Sequence, residues 1–148
     1  MSKPIVDLLN EALNVEYTII VHYPRLVSMV HDKETKALVN ALGSASVRHA
    51  DVVARAIMRL GGTPSWTFEP FSFDDSLAGI FQRQLEKEET ARRLHRETAV
   101  LAPDPSLRTE FEQIAREEES HIRTVKEILK RLEEQPQGAG GPRKPEFF

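Results

Sequence analysis

Glu118-Glu119-Ser120-His121 lies in the last long helical pattern of the chain, and its reading decides the fold. Glu118 and His121 are three residues apart, so on a helix they share one face, one turn from each other. A carboxylate and an imidazole so spaced can grip one metal ion. Alone the motif is weak, because residues 116–119 also read as a solvated charged face. The rest of the chain repeats the arrangement, and that repetition separates the two readings.

Shifted by 72 residues, the two halves fall into register. Leu13 meets Leu85, Glu16 meets Glu88, Ile19 meets Ala91 and Tyr23 meets His95. Leu42 meets Ile114, His49 meets His121, Val53 meets Val125 and Leu60 meets Leu132. Glu16 to His49 spans 33 residues, as does Glu88 to His121. Each half reads as a helical hairpin, with turns near Asp32 and Pro103. At 1.5 Å per residue, Glu16, Ser46 and His49 all lie ~21–26 Å from the first turn, and Glu88, Glu118 and His121 match them in the second half. Potential ligands from four helices thus meet at mid-height, each on an apolar face. Burying one unpaired carboxylate costs several kcal/mol, and three repel one another as well. Glu16, Glu88 and Glu118 facing one core therefore call for cations. The alternative is that some of them turn outward, or that Arg48 and Arg92 pair with them.

Four helical segments are expected. Residues 4–30 carry Ile5, Leu8, Leu9, Ala12, Leu13, Ile19 and Ile20 at helical spacing. Pro24 falls inside this pattern, yet Leu26, Val27 and Val30 continue it, so the helix is expected to run on. Residues 32–60 form the second helix, stopped by Gly61-Gly62, with interior Gly43 marking close packing. The third begins at Asp74-Asp75-Ser76 and ends near Leu101. Pro103-Asp104-Pro105 breaks it, and the fourth covers residues 106–134. The connection at 62–74 holds Trp66, Phe68, Phe71 and Phe73, and is expected to bury those rings along the bundle. Its roughly 13 residues reach ~43 Å when extended, the length of a 28-residue helix, so it can cross from one end of the bundle to the other. The fold class is all-α: an antiparallel four-helix bundle over residues 1–134 with a long crossover between helices 2 and 3. Residues 135–148, with three Pro and three Gly, read as a disordered tail. Its final Glu146-Phe147-Phe148 is either a docking motif or a frayed end.

Composition narrows the chemistry. The 148 residues are 40% hydrophobic and 29% charged, as in a soluble globular domain. A net charge of −3 leaves no basic footprint for nucleic acid. Without cysteine there is no disulfide, iron–sulfur cluster or thiol nucleophile. Any metal must be held by Asp, Glu and His, which suits iron, manganese or zinc. No secretory signal or bilayer-spanning stretch is visible, so no membrane association and a cytoplasmic location are expected.

The sequence resembles the ferritin-like superfamily, closest to bacterioferritin and rubrerythrin-type domains, over about residues 4–134. The carriers are Asn14-Val15-Glu16 with Tyr23, Ser46-Val47-Arg48-His49-Ala50-Asp51, Glu88 with Ala91, and Glu118-Glu119-Ser120-His121-Ile122. In that family two helices each give one Glu and two each give Glu-x-x-His, holding two irons. The resemblance implies that Glu16 and His49 serve one metal, Glu88 and His121 the other, and Glu118 both. The second bridging Glu would stand at position 46, where this chain has Ser46. A serine hydroxyl is neutral and a poor ligand for a hard cation, so the implied site holds two metals weakly, one, or none. Val47 stands where the family's haem-ligand Met would follow, so no haem is expected. Tyr23 is either a hydrogen-bond donor behind the ligands or ordinary core. His95, two turns from Glu88 on a similar face, is a spare ligand, an outer group or a residue with no part in the site, while His22 and His31 read as surface residues.

Two functions follow from the resemblance. One is a di-iron carboxylate protein that oxidises Fe(II) with oxygen or peroxide. The other is a non-catalytic bundle with an eroded mono-metal or empty site, acting as a binding module. A homodimer or larger homo-oligomer is expected in either case.

Overall fold

The computed structural model describes residues 4–71 and 76–134. The expected helix start at Asp74-Asp75, the ring of Phe73 and the tail at 135–148 lie outside the described residues. Four helices are present: α1 (Pro4–Met29), α2 (Lys33–Arg59), α3 (Leu77–Leu101) and α4 (Pro105–Glu134). Pro24 lies inside α1 without ending it.

Three helix starts are fixed by side-chain caps. Asp32 is extended at φ −87 and ψ 148 and accepts from the Thr35 amide at 2.9 Å. Ser76 accepts from the Gly79 amide at 3.0 Å, and Asp104 from the Leu107 amide at 2.9 Å. Pro105 therefore opens α4 instead of breaking the chain before it, because a first-turn residue has no intrahelical use for an N–H. At the end of α2, Gly61 takes φ +85. The amides of Gly61 and Gly62 then bond back to Met58 and Ile57 carbonyls at 3.0 and 2.9 Å, closing a Schellman turn. Gly43 serves a different need. A Cβ there would lie 2.4 Å from the Tyr23 ring, so α1 and α2 approach only because that atom is missing.

α1 packs on α2 and α3, and α4 packs on α3 and α2. Arg59 meets Asp104 at 2.6 Å at one end of the bundle, and Arg131 meets Glu34 at 2.9 Å at the other. Adjacent helices are therefore antiparallel, and α3 begins at the opposite end of the bundle from the end of α2.

A row of polar residues on α1 holds that crossover. Asn10 accepts from the Ser65 amide (2.8 Å) and donates to the Thr63 carbonyl (3.2 Å). Asn14 donates to Thr67 Oγ1 (2.9 Å), and Thr18 accepts from the Glu69 amide (3.0 Å). His22 Nε2 donates to the Glu69 carbonyl (2.7 Å). Four helical residues rise ~6 Å and two extended residues ~6.6 Å, so an i, i+4 row meets every second crossover residue. This corrects two expectations. His22 is buried, not a surface residue. Trp66 and Phe68 are 51% and 48% exposed, because alternation along an extended chain gives the odd positions to α1. Both rings instead lean edge-on against Tyr17, with centroids 5.4 and 5.7 Å away, while Phe71 is partly buried.

The interior is two apolar cores divided by a polar layer. Leu9, Leu13, Val53, Ile57, Leu107 and Phe111 belong to one core, and Leu26, Leu42, Phe81, Val125 and Ile128 to the other. Glu16, Ser46, His49, Glu88, His95 and Glu118 are fully buried beside them.

Candidate metal centre

Each helix supplies the polar layer from its buried face. Glu16 comes from α1, His49 from α2, Glu88 and His95 from α3, and Glu118 and His121 from α4. Their donor atoms fall into two lobes, in each of which the atoms lie within 4.8 Å of one another: Glu16, His49, His95 and Glu118 in one, Glu88, Glu118 and His121 in the other. Glu118 belongs to both.

In the first lobe, His49 Nδ1 donates to Glu118 Oε2 at 3.1 Å and stands 3.4 Å from Glu16 Oε2. His95 Nε2 donates to Glu16 Oε2 at 2.9 Å and is 3.6 Å from Glu118 Oε2. In the second, His121 Nδ1 donates to Glu118 Oε1 at 3.2 Å and lies 3.5 Å from Glu88 Oε1. Gln84 Nε2 donates to Glu88 Oε2 at 2.9 Å. Behind His49, Nε2 donates to Glu117 Oε1 at 2.8 Å, and Glu117 is itself held by Arg48 and Gln113.

The five residues singled out from sequence, Glu16, His49, Glu88, Glu118 and His121, are thus brought together, and neither Arg48 nor Arg92 pairs with the buried carboxylates among the described residues. Tyr23 packs its ring on Gly43 and makes no hydrogen bond to the cluster among the described residues. Sequence reasoning underweighted His95, whose signal was its place two turns from Glu88 on one face. Glu117 had no signal apart from the charged run around it.

His95 also changes the charge balance. Three imidazoles, not two, face three carboxylates, so protons as well as metal ions can neutralise the layer. Burial opposes charge on His49, but hydrogen bonds to Glu118 and Glu16 outweigh it and raise the ring to about 11. Burial is likewise outweighed at His121, raised to about 9 by Glu118 and Glu88, and at His95, raised by Glu118 and Glu16. Burial, reinforced by the Glu118 charge, lifts Glu88 to about 8 and lifts Glu16 in the same direction. Glu118 is held well below the usual range, because hydrogen bonds from three imidazoles overcome its burial.

Glu16 Oε1, Glu88 Oε1, Ser46 Oγ and His95 Nδ1 are buried with no hydrogen-bond partner. Buried carboxylate oxygens without donors are costly unless a cation uses them. The mixed carboxylate–imidazole donor set suits iron, manganese or zinc, so the residues fit a metal centre. Ser46 sits one turn before His49 on α2, is fully buried and adds no charge to the layer.

Comparison with known proteins agrees with this architecture. A ferritin-like diiron-carboxylate protein from Bacillus anthracis str. Ames superposes with a TM-score of 0.78 at 22% identity, covering 87% of this chain and 99% of that one. BfrA from M. tuberculosis gives a TM-score of 0.78 at 23% identity, covering 93% and 90%. A dodecameric thioferritin from Bacteroides fragilis gives 0.75 at 20% identity, covering 91% and 89%. At these identities the likeness is one of fold. No curated protein matches the sequence. The ferritin-like domain model matches residues 6–134, and with the four-helix architecture and the buried carboxylate–histidine layer this shows that the chain belongs to the ferritin-like family.

Proposed function

We propose that this protein binds iron between its four helices and oxidises Fe(II), with Glu16, His49, Glu88, Glu118 and His121 as ligands. The observation that carries the reading is the layer of three buried carboxylates and three imidazoles, two of them fully buried, in which two carboxylate oxygens have no hydrogen bond. Bound Fe(II) supplies one electron per ion to oxygen or peroxide. The chain's own part is to fix geometry and charge. Glu118, held ionised, is the group shared by the two lobes. Glu117 keeps hydrogen on His49 Nε2, which leaves Nδ1 to face the centre. The two apolar cores exclude water from either side. Manganese or zinc are the competing ions, and the proposal includes no haem, since Val47 offers no ligand atom.

The second reading, a bundle with an eroded site acting as a binding module, is favoured by Ser46. Its hydroxyl is buried without a hydrogen-bond partner at the position where the resemblance implies a second bridging Glu. Metal content after purification, followed by Fe(II) oxidation monitored by absorbance, separates the two. Bound iron with rapid oxidation supports the first, and failure to bind metal in excess Fe(II) rejects it.

No helix among the described residues is long and apolar enough to cross a membrane. The proposal extends to a cytoplasmic homodimer or larger homo-oligomer that engages metal ions, not nucleic acid or membrane. The dodecameric assembly of the Bacteroides fragilis relative supports an oligomer.

A further inference from the structure

We propose that His95 is itself a metal ligand, so that Glu16, His49, His95 and Glu118 form a complete four-donor site that fills with one divalent transition ion before the Glu88–Glu118–His121 lobe takes any. This rests on the metal-centre reading above and deepens it.

Three observations carry it. First, the internal repeat is broken at this position. His95 aligns with Tyr23, and Tyr23 spends its ring on Gly43 while His95 turns Nε2 to within 2.9 Å of Glu16 and 3.6 Å of Glu118. Second, all four side chains are 0% exposed, and each comes from a different helix, so their geometry is set by bundle packing. Third, Glu16 Oε1, in the same lobe, is buried with no hydrogen bond, as an oxygen available to a cation would be.

The two lobes are then unequal. The first offers two imidazole nitrogens and two carboxylates, whose charges balance one divalent ion and whose number completes a four-coordinate shell. The second has three donors, one of them shared with the first. Imidazole-rich donor sets favour ions such as Fe(II), Co(II) and Zn(II) over Mg(II) and Ca(II), which prefer all-oxygen shells. The centre is therefore a tight mononuclear site with a weaker neighbour.

The test uses the full-length, metal-stripped chain and Co(II) titration in excess Mg(II), with a parallel sample given one equivalent of Cu(II) for pulsed EPR. Wild type is expected to bind its first Co(II) at least ~100-fold more tightly than its second, and to show two imidazoles on the single Cu(II). His95→Leu should weaken the first site by more than the ~10–100-fold typical of an outer partner, and should leave one imidazole on the copper. His121→Leu should keep the first site and both imidazoles while losing the second ion. A wild-type spectrum with one imidazole overturns the proposal, and that measurement needs no variant to fold. So does a His95→Leu variant with unchanged first-site affinity. In either case, Co(II) binding that His49→Leu abolishes leaves the broader metal-centre reading standing. If wild type binds no ion, both fail together.

Discussion

Ser46→Glu puts the charge argument to its most direct trial. Position 46 is fully buried, on the same layer as three carboxylates, and its hydroxyl has no partner. A fourth carboxylate there has two separable costs. One is steric: three added heavy atoms in a filled interior cost about 1–3 kcal/mol. The other is electrostatic: a buried carboxylate without a dedicated partner costs several kcal/mol more. Ser46→Gln carries the first cost and not the second. The metal-free Glu variant should therefore be less stable than the Gln variant by about 3 kcal/mol, which for a chain of this size lowers Tm by roughly 6–12 °C. Metal should reverse the order. With a fourth carboxylate, two divalent ions are balanced and the Glu88–His121 lobe gains a ligand. Two equivalents of Co(II) should raise the Tm of the Glu variant above that of the Gln variant and bring its stoichiometry to two ions per chain. Scanning calorimetry with and without Co(II), together with equilibrium dialysis, reads both effects. Equal Tm values for the two variants without metal would refute the placement of residue 46 in a buried acidic layer. Unchanged stoichiometry would refute the claim that its neutrality limits the second lobe.

Stability of the metal-free protein should fall as pH rises from about 6.5 to about 9. His121 is raised from 6.5 to about 9, so its contribution is complete below 6.5 and lost through 9, while Glu88, raised from 4.5 to about 8, carries a cost that grows from about pH 4.5 and is complete above 8, and His49, raised to about 11, prolongs the fall beyond 9. Urea titrations across that range check it, and the metal-loaded protein should be flatter, since bound cations replace the protons. Gly43→Ala, which in an ordinary helix interior gains up to ~1 kcal/mol, should here destabilise by about 1–3 kcal/mol, because its Cβ would stand 2.4 Å from the Tyr23 ring. Tyr23→Leu combined with Gly43→Ala should recover part of the loss, as read by chemical denaturation. His22→Leu leaves the Glu69 carbonyl without its donor and should speed amide exchange over residues 63–71 with little effect on α4, as followed by mass spectrometry.

The amphipathic spacing of the helices, the breaks at Gly61 and Pro103, and the offset that aligns Glu16 with Glu88 and His49 with His121 are local or periodic properties. Sequence alone therefore determined four rods, a crossover and five acidic and imidazole residues at one height. It also marked Gly43 as a point of close approach, because a glycine inside a helix has a cost that packing must offset. What it could not determine was how residues with equivalent spacing divide between partners. Tyr23 and His95 hold matching places in the repeat, yet one ring lies on Gly43 and the other faces Glu16. That difference arises from which helix stands opposite each side chain. His22 read as a surface residue, and nothing in the local pattern of α1 gave Asn10, Asn14 or Thr18 a partner, which came from an extended segment some 50 residues later in the chain. Only the tertiary structure decided those pairings, because hydrogen bonds and Coulomb interactions depend on distances of a few ångströms between residues far apart in the chain, and no periodicity within one helix encodes them.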